Sequence, residues 1–98
     1  MRDVVQTSFL IPAYNEQALV GRAISSIHES AALCGLKHYE IVVCDNDSTD
    51  RTAEIAETLG ARVIHEPHRQ IARARNAAAE ASTGSRLIWL DADATLPP

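Results

Sequence analysis

Four short apolar runs, each ending on acidic or polar residues, alternate with three stretches where apolar residues recur every three or four positions. The runs are 7–11 (TSFLI), 40–44 (EIVVC), 62–65 (RVIH) and 87–90 (LIWL). Val20, Ile24, Ile27, Ala31 and Cys34 mark one helical face, Thr52, Ile55, Ala56 and Leu59 a second, and the alanine-rich segment 70–81 supplies a third. Apolar runs of this length read as parallel strands, and the stretches between them as crossover helices. The pattern predicts an α/β chain, β-α-β-α-β-α-β, with a parallel sheet of about four strands and helices on both faces. Punctuation agrees. Pro12 is expected to stop the first strand, because proline cannot donate to a sheet ladder. Gly35 and Gly60 are placed to close helices. Ser48, Thr49 and Asp50 offer side-chain oxygens for a helix start. So much alanine in 70–81 favours a helix and lets it lie close to its neighbour, and Gly84 turns the chain into the last run.

That last run, Leu87-Ile88-Trp89-Leu90, stops at Asp91-Ala92-Asp93. Its unbroken apolar character predicts a strand covered on both faces, with the carboxylates at its carboxyl end, where open α/β sheets bind ligands. Two acids this close repel unless a cation or a proton resolves the conflict. A polar loop using acids as turn formers is the competing reading. Glu16, Asp45, Asp47, Glu66, Asp91 and Asp93 all follow strands, so a parallel sheet gathers them along one edge. Packing gives no reason for that; a ligand site does.

The 98 residues suit one small domain or part of a larger one, and 46% apolar content is enough for a core. A net charge of −4 argues against a nucleic-acid-binding module, which carries a basic footprint. Cys34 and Cys44, without metal-ligand spacing around them, are expected as two buried thiols in a reducing compartment. Met1-Arg2-Asp3 lacks the apolar region of a signal peptide, and no apolar run reaches the length of a membrane span. A cytoplasmic location is expected, with membrane association only through downstream segments.

Ile11-Pro12-Ala13-Tyr14-Asn15-Glu16, Val42-Val43-Cys44-Asp45-Asn46-Asp47-Ser48-Thr49-Asp50, Ala74-Arg75-Asn76 and Leu90-Asp91-Ala92-Asp93, in this order, strongly resemble glycosyltransferase family 2. These are inverting enzymes with the GT-A fold, and the match extends over almost all of the chain. The resemblance implies a nucleotide-diphospho-sugar site, for a UDP- or GDP-sugar, with Mg²⁺ or Mn²⁺ as cofactor and an unidentified acceptor hydroxyl. It places Pro12, Ala13, Tyr14 and Glu16 along the base and ribose, and matches Asp45 and Asn46 to an acidic pair that accepts hydrogen bonds from the base. It matches Asp91-Ala92-Asp93 to the metal-binding DxD motif. Asp93 would ligate the cation, and Asp91 would face the ribose or a metal-bound water. The chain departs from its relatives at Asn46, where many have a second Asp, at Asp47, where Gly is usual, and at Gln70, where Gly often precedes the third helix. Asp at a position needing positive φ pays less than most residues.

Tyr14 reads as a site residue in preference to a core aromatic. Arg69 and Arg73, one turn apart, read equally as phosphate contacts or a solvated basic face and stay outside the site. Asn76 is expected to be a structural hydrogen-bonder and Trp89 a core residue, and the spacing of His65 and His68 does not favour zinc. Leu90-Asp91-Ala92-Asp93-Ala94-Thr95 also resembles the signature of haloacid-dehalogenase-type phosphatases, with Asp91 as nucleophile and Asp93 as acid. That motif ends the first core strand in those enzymes, whereas three strand–helix units precede it here. A non-catalytic nucleotide-binding remnant is the other alternative. In family relatives the acceptor site and catalytic base lie downstream of the DxD motif, and this sequence ends five residues after Asp93. Residues 1–98 are therefore expected to be the donor-binding part of a catalytic domain truncated after that motif. The expected fragment is inactive alone, carries no catalytic residue, and is prone to self-association through exposed sheet.

Overall fold

In the computed structural model, which describes residues 5–94, the chain runs β1 (Thr7–Ala13), α1 (Val20–Cys34), β2 (Tyr39–Asp45), α2 (Thr52–Thr58), β3 (Arg62–His65), α3 (Ile71–Ala81) and β4 (Arg86–Trp89). Met1-Arg2-Asp3, Thr95 and Leu96-Pro97-Pro98, on which parts of the expectation rested, lie outside the described residues. The four strands form one parallel sheet in the order β3-β2-β1-β4. Element order and fold class match the α/β expectation.

Both faces of the central strands are covered, which is why their apolar residues run without alternation. Phe9, Ile11, Ile41 and Val43 pack on one face against Val20, Ala23, Ile24 and Ile27 of α1 and Ala56 of α2. Leu10, Val42 and Cys44 pack on the other against Ala74 and Ala78 of α3. Fully burying a side chain such as Leu10 or Ile24 contributes about 1.5–3 kcal/mol. The two α3 residues facing the sheet are alanines, so this helix lies close to it. α1 ends at Gly35, whose φ of 71° supplies the left-handed cap.

Because α3 crosses from β3 past β2 and β1, its return to the opposite side of the sheet must be held. A polar network at the amino ends of the strands does this. Glu40 accepts from Ser8 Oγ at 2.7 Å and from the Thr83 N–H at 2.7 Å. Arg62 donates to Glu40 at 2.9 Å and to the Ala81 carbonyl at 2.6 Å. The Gly84 N–H donates to Ser8 Oγ at 2.8 Å, and the backbone comes so near that a Cβ on Gly84 would lie 2.6 Å from that oxygen. Burial raises the Glu40 pKa, but hydrogen bonds from Ser8, Thr83 and Arg62, with the Arg62 charge, outweigh it and hold the carboxyl below its usual 4.5.

Three expectations need correction. β1 runs on through Pro12 to Ala13 instead of stopping at Ile11. The Leu10 carbonyl accepts from Leu90 on the β4 side, and the Ala13 carbonyl accepts from Asn46 on the β2 side. Alternation therefore points the Pro12 nitrogen toward β4, beyond the last paired residue, so no ladder bond is lost. The second correction concerns β4, which is an edge strand and not covered on both faces. Ile88 and Leu90 pack toward α1, whereas Leu87 and Trp89 are 42% and 36% exposed, because α3 sits over β1 and β2. Trp89 is thus not a core residue; the Arg75 guanidinium lies 4.8 Å from its ring centroid. Third, only Cys44 is buried. Cys34 is exposed at the end of α1, and both thiols are free.

Candidate functional site

The loops after β1 and β2 are laced together before either helix begins. The Asn15 N–H donates to Ser48 Oγ at 2.9 Å, and Asn15 Oδ1 accepts the Thr49 N–H at 2.8 Å. The Glu16 N–H donates to Thr52 Oγ1 at 2.9 Å, the Gln17 N–H to Asp50 at 3.2 Å, and the Arg51 N–H back to Gln17 Oε1 at 3.0 Å. Ser48 and Thr49, expected at a helix start, serve this bracing instead. Arg51 is the N-cap residue of α2, and Asp50, one position before it, accepts the Thr52 N–H at 3.0 Å. Burial raises its pKa, but hydrogen bonds from Thr52 and Gln17 prevail and keep the carboxyl below its usual 3.8. Asn15 and Asp47 have φ of 49° and 67°. Asp47, where relatives usually have Gly, thus holds a left-handed conformation that Asn and Asp tolerate better than other side chains.

Asp45, buried at the end of β2, accepts the Ser48 N–H at 3.2 Å, and its other oxygen lies 3.3 Å from His65 Nδ1. A cleft of about 450 Å³ opens beside it, lined by Asp45, Asp47, Ser48, His65, Glu66 and Pro67. The backbone N–H of His68 donates to the Glu66 carboxylate at 3.0 Å. That bond, opposed by burial and aided by the His68 side chain and Arg73, sets the Glu66 pKa below its usual 4.5. Burial pushes the Cys44 thiol up to about 11, aided by the charges of Glu66 and Asp45, so the thiol stays protonated and unreactive. Asn46 follows Asp45 but is directed elsewhere. Its Nδ2 donates to the carbonyls of Glu66 and His68, at 2.9 and 2.6 Å.

On the other side of β1, the Leu90 N–H donates to the Leu10 carbonyl at 3.0 Å, and the Ala94 N–H closes a turn onto the Asp91 carbonyl at 2.9 Å. Ala92 is buried in the core cluster that includes Ala13, while Asp91 and Asp93 on either side of it are exposed. Neither carboxylate has a hydrogen bond or ion pair among the described residues, and no group of three or more His, Cys, Asp or Glu there could hold a metal ion. Two exposed, hard oxygen donors of this kind suit a small divalent cation that keeps most of its shell for water and ligand.

The carboxyl edge of the sheet thus gathers Pro12, Ala13, Tyr14, Asp45 and Asp91 to Asp93 at the ends of three neighbouring strands. Glu16 is half-buried, and its carbonyl accepts from Leu19 and Val20 to open α1. Tyr14 is exposed, not a core aromatic, and Arg69 lies 4.7 Å above its ring and donates to its hydroxyl. Asp47 and Glu66, read from sequence as strand-end acids on the ligand edge, do line the cleft, and Ser48, His65 and Pro67 join them without having been singled out for it; Arg69, kept outside the site on sequence, packs on Tyr14. The signal that could have found Ser48, His65 and Pro67 was position at or just beyond a strand's carboxyl end. His65 and His68 face different acids, Asp45 and Glu66. Arg73 bonds Gln70 at 3.0 Å. Asn76, expected as a structural hydrogen-bonder, is exposed with no such bond among the described residues.

The family described as Glycosyl transferase family 2 matches residues 8–98. An uncharacterized glycosyltransferase of Rickettsia typhi is 35% identical over 89 residues, covering 91% of this chain and 28% of that protein. A dolichol-phosphate mannosyltransferase of Pyrococcus furiosus is 34% identical over 102 residues, covering 96% and 27%. The chain therefore spans about a quarter of the length of these relatives. Among solved structures, Mycobacterium tuberculosis glucosyl-3-phosphoglycerate synthase in complex with Mn²⁺, UDP and glucosyl-3-phosphoglycerate aligns with a TM-score of 0.74 at 31% identity, over 90% of this chain and 33% of that one. Staphylococcus aureus TarS shares the fold, with a TM-score of 0.77 at 22% identity over 93% of this chain and 28% of that one. Strand order, the acids at the strand ends and these matches agree: the chain belongs to glycosyltransferase family 2.

Proposed function

We propose that this chain forms the donor site of an inverting glycosyltransferase that binds a nucleoside-diphospho-sugar with Mg²⁺ or Mn²⁺ and passes the sugar to an acceptor hydroxyl. The observation that carries the reading is the placement of acids on either side of β1. Asp45 ends β2, and Asp91 and Asp93 follow β4, in a sheet ordered β3-β2-β1-β4. Two strand spacings separate them, about 10 Å. A nucleoside carrying a diphosphate can bridge that gap; a small anion cannot. Open α/β sheets bind ligands where the strand order reverses, which here falls between β1 and β4, next to the strand whose end meets both sets of acids.

In this reading the base enters the cleft beside Asp45, whose carboxylate accepts an N–H from it, and Pro12, Ala13 and Tyr14 line the path of the ribose. Asp93, with Asp91, would hold the cation. When bound, that cation offsets the charge developing on the departing diphosphate. The Mn²⁺ and UDP in the mycobacterial neighbour support this assignment for a related site. Direct displacement also needs a base to take the acceptor proton. We assign that base to none of the residues in this segment, so donor binding with little or no sugar transfer is expected of it alone.

Calorimetry of UDP and GDP with MnCl₂ tests the proposal. Metal-dependent binding of at least one is expected, lost in Asp93→Ala without loss of fold, since Asp93 is exposed. Absence of binding by either nucleotide in the presence of Mn²⁺ would overturn it.

A further inference from the structure

Asn46 stands where the family resemblance expects a base-reading acid, yet its bonds lead to a different task. The side chain belongs to a residue only 6% exposed and does not line the cleft. Its Nδ2 donates to two backbone carbonyls, Glu66 at 2.9 Å and His68 at 2.6 Å, and its own N–H donates to the Ala13 carbonyl at 2.8 Å. The residue therefore joins the ends of β1 and β2 to the segment after β3. An amide has two N–H donors on one nitrogen, and both are used here. A carboxylate of the same shape has none and would turn its charge toward two carbonyl oxygens.

The segment it holds carries much of the cleft. Glu66 and Pro67 form part of its lining, and Arg69, just beyond His68, packs on Tyr14 at the end of β1. Further bonds shape the same turn: the Glu66 N–H to the Asp45 carbonyl at 3.0 Å and the Gln70 N–H to the His68 carbonyl at 2.8 Å. Those bonds are local or run along the sheet. The Asn46 side chain alone, among the described residues, ties both ends of 66–68 to the floor of the site.

We propose that Asn46 is a positioning residue of the nucleotide site, holding the 66–68 wall and the Arg69–Tyr14 pair in place without touching the nucleotide. The inference rests on the donor-site reading above. It has a specific consequence: the residue governs affinity for every base alike, while Asp45 remains the group that meets the base.

The experiment compares wild type with Asn46→Asp, using UDP and GDP with Mn²⁺ in calorimetry and backbone amide exchange without nucleotide. Asn46→Asp is expected to speed exchange at His68 and Gln70 and to weaken both nucleotides by a similar factor, about tenfold for two lost buried hydrogen bonds. A change in the preference between UDP and GDP, or unaltered affinity and exchange, overturns the proposal. Should the variant not fold, nuclear magnetic resonance of the wild-type Asn46 carboxamide decides. Its protons are expected to exchange slowly and stay protected when UDP is added; loss of protection on binding means the amide turns to the base and sinks the idea. Failure of wild type to bind either nucleotide refutes the donor-site reading itself, an outcome distinct from these.

Discussion

Asn15 and Thr49 join two loops that are 34 residues apart in sequence: the Asn15 carboxamide oxygen accepts the Thr49 N–H at 2.8 Å. The same asparagine donates its own N–H to Ser48 and holds φ at 49°. Asn15→Ala removes the bond and places a residue poorly suited to left-handed backbone there, so a loss of about 1–2 kcal/mol is expected. Asn15→Gly relieves the backbone and loses only the bond, and should fall between alanine and wild type. Urea denaturation midpoints give the order; an alanine variant as stable as wild type would show that the lacing contributes nothing.

Gly84 sits against β1 because nothing larger fits. A Cβ there would lie 2.6 Å from Ser8 Oγ and 2.8 Å from the Ser8 nitrogen. Gly84→Ala must push the loop outward and disturb the Ser8–Glu40 bond, at a cost of about 2–3 kcal/mol. Thermal unfolding of the variant checks this. Ser8→Gly in the same background should recover part of the loss, since it removes the hydroxyl while leaving the backbone clash.

Glu40 and Asp50 both have folded pKa values below their ordinary 4.5 and 3.8. Groups shifted this way stabilise the fold fully above the unfolded value, and that contribution disappears as pH falls through the folded value. Stability is therefore expected to hold down to about pH 5 and to decline progressively below pH 4.5, where these carboxylates protonate. Glu40→Gln should be less stable at neutral pH and show a shallower acid decline. An unchanged slope in denaturant midpoints between pH 3 and 6 would remove Glu40 from this role.

The chain has one tryptophan, Trp89, two residues before Asp91 and 36% exposed. Its fluorescence is expected to be open to acrylamide quenching. Under the donor-site proposal, Mn²⁺ with UDP should quench it more than Mg²⁺ with UDP, because Mn²⁺ is paramagnetic. Asp93→Ala should abolish the difference. Equal response to both ions would place the cation away from the end of β4.

Alternation of apolar runs with helical spacing made the order of strands and helices readable, because each period reports a local backbone geometry. Gly35 as a helix terminator, and the positive φ open to Asp47, were legible for the same local reason. Gathering of Asp45, Asp91 and Asp93 along one edge followed from parallel strands. What tertiary structure decided was which strands became neighbours and which bonds each side chain formed. An apolar run does not state whether a helix will cover it, so Leu87 and Trp89 looked like core until α3 came to rest over β1 and β2. Pro12 looked like a strand end until β4 proved to stop short of it. The bonds of the Asn46 amide to the carbonyls of Glu66 and His68, 20 and 22 residues away, could not be read from the residue's place after β2. Side-chain chemistry is written locally; the partner that uses it is set by where the crossovers land.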